Sequence, residues 1–135
     1  MRFVKFRQRL NEILQAYKID LVVFEEVRRH ASTDSSHVYG GLLATLTEWC
    51  ETNGIPYTGA PVGTLKKSWC GKGNASKDLM IAEAERRGYE PIDDNEADAL
   101  AAFDWALKNY SGGIGRRLTD PPQTSVVPAA VKKAA

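Results

Sequence analysis

Two cysteines, Cys50 and Cys70, are the only thiols in 135 residues, and they form no CxxC pair or Cys/His cluster with the two histidines. That pattern argues against a disulfide framework or a thiolate metal site, and both thiols are expected to stay reduced in a cytosolic compartment. No apolar run approaches the roughly 18 residues that a membrane-spanning helix requires. The opening "MRFVKFRQRLNE" is too polar for a secretory signal. A net charge of +1 leaves the chain without a strong overall field, so any surface for a polyanion has to be local. These absences point to a soluble, cytoplasmic chain with no membrane partner. At this length one domain is expected, with room for a real core.

The elements that are present alternate. Phe3, Phe6, Leu10, Ile13, Leu14 and Tyr17 recur at three- and four-residue spacing, which predicts a helix over 3–17. "LVVF" from Leu21 to Phe24 is a near-continuous apolar run that ends in Glu25 and Glu26, as a buried strand of a parallel sheet does. After the polar loop "RRHASTDSS", Ser35 or Ser36 is positioned to cap a helix over 37–52 that ends at "NG". "IPYTGA" reads as a second strand, "PVGTLKKSWCG" as a loop or short helix, and 75–87 and 95–109 as helices. From Ser111 onward the chain is rich in Gly, Pro and Ala and carries four basic residues against one acid. It reads as a disordered basic tail, 111–135, after a domain at 1–110. The order is that of an α/β protein. Two parallel strands flanked by helices make a meagre sheet, however, as though the chain began in mid-domain.

Three stretches carry possible chemistry. Glu25 stands at the C-terminal end of a buried strand, where open α/β sheets place their ligand crevice. Alternation sends Glu25 and Glu26 to opposite faces. A strand simply running into solvent is the other reading. In "DDNEADALAAF", Asp94, Asn95 and Asp98 share one helix face, while Glu96 points outward. The positive end of a helix accounts for Asp93 and Asp94. It does not account for Asp98, which lies one turn in, on the face continued by Ala101, Ala102 and Trp105. A buried carboxylate there needs a partner, and a hard cation such as Mg²⁺ or Mn²⁺ is one. Finally, "LKKSWCGKGNASKD" sets Lys66, Lys67, Lys72 and Lys77 among glycines, a composition suited to phosphates. It is no Walker A loop, because position 66 is lysine where that motif needs glycine. A nucleic-acid backbone is therefore the natural ligand, against the alternative of a solvated basic loop. Trp49, Trp69 and Trp105 are more often core residues than base-stacking platforms; Trp69, beside these lysines, is the one tryptophan that is also a candidate DNA contact.

Taken in order, "VVFEEV", "LKKSWCGKGNASK" and "DNEADALAAFDWAL" resemble the RuvC family of Holliday-junction resolvases, in its phage and prophage forms, over residues 1–110. The resemblance implies an RNase H-like fold and a structure-selective DNA endonuclease acting in recombination, repair or phage DNA processing. It also implies two Mg²⁺ or Mn²⁺ ions, branched four-way DNA as partner, and a homodimer in a bacterial or phage-infected cytoplasm. Carried over residue by residue, it makes Glu25, Asp98 and Asn95 metal ligands, with Asp94 as neighbour in the catalytic group, and Lys66 and Lys77 DNA contacts. Lys67 and Lys72 join those contacts from the reading of the lysine stretch itself. Against the family pattern the chain looks N-terminally truncated, lacking the first-strand aspartate. That leaves a second expectation, a vestigial nucleic-acid-binding fragment without catalysis.

Overall fold

The computed structural model describes residues 1–110, so the expected tail 111–135 lies outside the described residues. Five helices and two strands follow one another: α1 (Arg2–Ala16), β1 (Val22–Glu26), α2 (Thr33–Thr52), β2 (Tyr57–Pro61), α3 (Val62–Cys70), α4 (Lys77–Arg86) and α5 (Asp94–Tyr110). β1 and β2 pair in parallel, with Val23 opposite Thr58, Glu25 opposite Ala60 and Glu26 opposite Pro61. The expected two-stranded parallel sheet between helices is therefore present.

Strand alternation divides the core in two. Val22 packs with Phe6 and Leu10 of α1, Leu46, Trp49 and Cys50 of α2, and Ile55. Val23 packs on the other side, with Ala60, Leu65 of α3, and Ala99, Ala102 and Ala106 of α5. A third cluster joins α3, α4 and α5 through Trp69, Ala75, Met80, Ala84, Ala97 and Ala101. The alanines explain how α5 can serve two neighbours: with no side chain beyond Cβ, one row lies close on the sheet and the other on α3 and α4. Burial pushes the Cys50 thiol up to about 12, helped by the Glu51 charge, so it remains protonated and inert.

Two boundaries differ from the sequence reading, and a third segment, read as a loop or short helix, takes the second form. α2 starts at Thr33, because Ser32 rather than Ser35 or Ser36 caps it. The Ser32 hydroxyl accepts from the Ser35 amide, and the Ser35 hydroxyl accepts from the Ser32 amide, a reciprocal capping box. β1 runs two residues further than the apolar stretch, through both glutamates. The "PVGTLKKSWCG" segment is helical, as α3, which follows β2 without a break and ends at Gly71 in the left-handed conformation (φ 79°). The loop after α3 doubles back, so that Gly73 comes close to Gly63. A Cβ on Gly73 would stand 3.4 Å from the Gly63 carbonyl oxygen.

Candidate functional site

The C-terminal end of β1 is where sheet, loop and α5 meet. Glu25 is half-buried and shares its strand face with Val23, the face that α5 covers. Glu26 turns to the other face with Phe24, and its carboxylate faces Arg28 at 3.5 Å. The chain's exit from the strand is held by a residue that periodicity does not reveal. The Tyr39 hydroxyl, on α2, donates to the Glu25 carbonyl at 2.8 Å and accepts from the Val27 amide at 3.1 Å. The His30 ring lies against Tyr39, with centroids 5.0 Å apart. Burial raises the Tyr39 pKa, and the nearby Glu26 and Glu25 charges add to this, outweighing the Val27 hydrogen bond that lowers it. The phenol therefore keeps the proton it donates.

On α5, Asp98 lies one turn before both Ala101 and Ala102. Ala101 packs toward α3 and α4, and Ala102 toward the sheet, so half-buried Asp98 stands over the seam between them. Asp94 is one turn earlier and half-buried, and its carboxylate pairs with Lys77 Nζ at 2.9 Å. The hydrogen bond to Asp94 raises the Lys77 pKa, with the Asp94 and Asp98 charges adding to it. Two residues assigned to different tasks, Lys77 for DNA and Asp94 beside a metal, are thus brought together. Asn95 is exposed. Glu96 does not point outward as expected. It is half-buried and folds back to accept from the Ile92 amide at 2.8 Å, while Asp93 accepts from the Glu96 amide, and together they close the helix entrance.

The lysines occupy one continuous segment. Lys66 and Lys67 lie on α3, Lys72 in the loop and Lys77 at the start of α4. Lys67, Lys72 and Lys77 are exposed, and Lys66 is half-buried. Trp69 is not available to DNA. It is 3% exposed, its indole N–H donates to the Met80 carbonyl at 3.1 Å, and the Arg87 guanidinium stacks 3.9 Å from its ring centre. Its place on the inward face of α3, opposite alanines of α5, takes it out of solvent.

Arg87 anchors a clasp behind the lysines. It pairs with Glu83 at 2.8 Å and Asp104 at 3.1 Å, and donates to the Trp69 carbonyl. Lys108 Nζ approaches Asp104 Oδ2 at 2.7 Å, as an ion pair whose geometry is not that of a hydrogen bond. Hydrogen bonds from Arg86 and Arg87 lower the Glu83 pKa to about 2, against an ordinary 4.5. Because the folded value is the lower one, this contribution to stability is complete above pH 4.5 and fades as pH falls toward 2. Denaturation midpoints of wild type and Glu83→Gln should therefore differ most above pH 4.5 and converge near pH 2. A constant gap across that range would remove Glu83 from the acid response.

Among the described residues, no group of three or more His, Cys, Asp or Glu side chains lies together in a way that would hold a metal ion. With Asp94 engaged by Lys77 and Asn95 exposed, the described side chains do not by themselves make up a two-ion centre.

Neither a family model nor a curated relative matches the sequence. Solved structures do match. The chain superposes on Thermus thermophilus RuvC in complex with a Holliday junction substrate with a TM-score of 0.70 at 22% identity, covering 82% of this chain and 69% of that one. A second Thermus thermophilus RuvC structure gives a TM-score of 0.64 at 19% identity, covering 79% and 68%. The fold is therefore that of RuvC, an RNase H-like α/β fold.

Proposed function

We propose that this chain acts on branched DNA as a structure-selective endonuclease of the junction-resolvase type. The observation that carries the proposal is the fold match, over 82% of the chain, to a RuvC that is bound to a Holliday junction. Two local arrangements support it. Glu25 and Asp98 reach the same side of the sheet from different elements, and Lys66, Lys67, Lys72 and Lys77 form a basic segment on the elements that follow β2. A homodimer, matching the two-fold symmetry of a four-way junction, and a cytoplasmic setting in recombination, repair or phage DNA processing belong to the same proposal.

The test is binding of the full chain to a four-way junction and to a linear duplex of the same sequences, across a salt series, followed by incubation with Mg²⁺ or Mn²⁺. These are the hard cations that oxygen ligands select. Preference for the junction and strand cleavage are expected, and equal affinity for the two DNAs overturns the proposal. Lys66→Ala and Lys72→Ala should each weaken binding and lower the slope of log affinity against log salt by about one. Unchanged slopes would show that the basic segment does not meet phosphates. A second reading, binding without cleavage, is favoured by the absence of a three-ligand acidic group among the described residues. Junction-selective binding with no cleavage under either cation selects that reading.

A further inference from the structure

We propose that the Tyr39 hydroxyl is the positioning group that fixes the end of β1 and thereby aims the Glu25 side chain. The Val22 amide donates to the Pro56 carbonyl, and in a parallel ladder this parity turns the N–H and C=O of Val22, Phe24 and Glu26 toward β2 and those of Glu25 and Val27 away from it. The Glu25 carbonyl and the Val27 amide therefore lie on the edge of β1 that β2 does not reach. Tyr39 meets both groups with one atom. Its oxygen receives the Val27 amide and gives its proton to the Glu25 carbonyl, so a single hydroxyl spans Glu26 and restrains the backbone on both sides of it. With the Glu25 peptide held, the direction of its Cα–Cβ bond is held too.

The support behind the hydroxyl is stiff. Tyr39 belongs to the N-terminal half of a 20-residue helix that has a capping box at one end and buried Leu46, Trp49 and Cys50 toward the other. The loop that leaves β1 returns to the same ring, through His30. Three points of the segment 25–30 thus converge on one side chain. Its consequence for cleavage rests on the proposed function. The positioning itself does not, and is read separately.

Tyr39→Phe keeps the ring and the His30 contact and removes only the bridge. Amide hydrogen exchange should show Val27 losing protection by roughly three- to tenfold, the size of one lost hydrogen bond, while Val22, Val23 and the thermal midpoint stay as in wild type. In junction cleavage kcat should fall by a similar factor with KM unchanged. Unaltered Val27 exchange overturns the proposal. So does a loss of protection spread evenly over the sheet, which is what a merely structural tyrosine would give. Tyr39→Leu separates ring from hydroxyl: if Tyr39→Phe matches wild type and only Tyr39→Leu loses Val27 protection, packing is what matters and the proposal is wrong. A wild-type chain that does not cleave junctions would sink the nuclease reading, and the Val27 exchange would still decide the role of Tyr39.

Discussion

Glu25→Gln is expected to lower junction cleavage at least about a hundredfold, the usual cost of losing one preorganised charged group at a reacting centre, with junction affinity unchanged. The substitution is nearly isosteric and removes only charge. Glu25 is half-buried on the strand face that α5 covers and is not one of the basic groups that would meet phosphates, so junction affinity should not register its loss. Asp98→Asn should behave the same way. If the two carboxylates act as a unit, the double variant will be no slower than the worse single one. Single-turnover cleavage with the variants in excess over labelled junction separates chemistry from binding. Wild-type cleavage by Glu25→Gln would remove Glu25 from the reacting centre.

Trp69→Ala should cost about 3–5 kcal/mol of stability, the range for deleting a large buried aromatic side chain. The upper part of that range is expected here because the site cannot collapse. The indole is surrounded by Ala75, Ala84, Ala97, Ala101 and Met80, and the alanines have no rotamers with which to fill a void. Its removal also strips the stacking partner from Arg87, which ties α4 to α5 through Glu83 and Asp104. Urea denaturation followed by circular dichroism measures the loss, and Trp69→Phe should recover part of it. If Trp69→Ala weakens junction binding while its denaturation midpoint stays at the wild-type value, the side chain touches DNA and the structural account fails.

Much of this arrangement was readable from residue order alone, and the reasons differ by element. β1 announces itself as a short apolar run ending in acids, and parity alone separates Glu25 from Glu26. The face of Asp98 was legible because alanines and Trp105 continue it. The start of α2 was not, since four serines and threonines crowd 32–36 and only geometry selects Ser32. α3 gives little local signal, because Pro61 precedes it with no side-chain cap. Glu96 was misplaced because azimuth on a helix fixes where a side chain starts and not where it bends, and this one bends back to an amide. For Trp69 the core reading holds, and the lysines beside it in sequence do not decide its place, because its neighbours in space do. Tyr39 has no signature at all, since its part is a bridge between two backbone groups of another element.

The close approach of Gly73 to Gly63 bears on how tightly DNA would be held under the proposed function. It brings the turn after α3 back beside the start of that helix, and Lys66, Lys67 and Lys72 all lie between the two glycines. A basic loop that wanders must give up its backbone freedom each time it binds, at about 1–2 kcal/mol per residue. Here that freedom is surrendered once, during folding. What remains to be ordered on binding is the side chains, so the frame is preorganised for a ligand whose phosphates are regularly spaced.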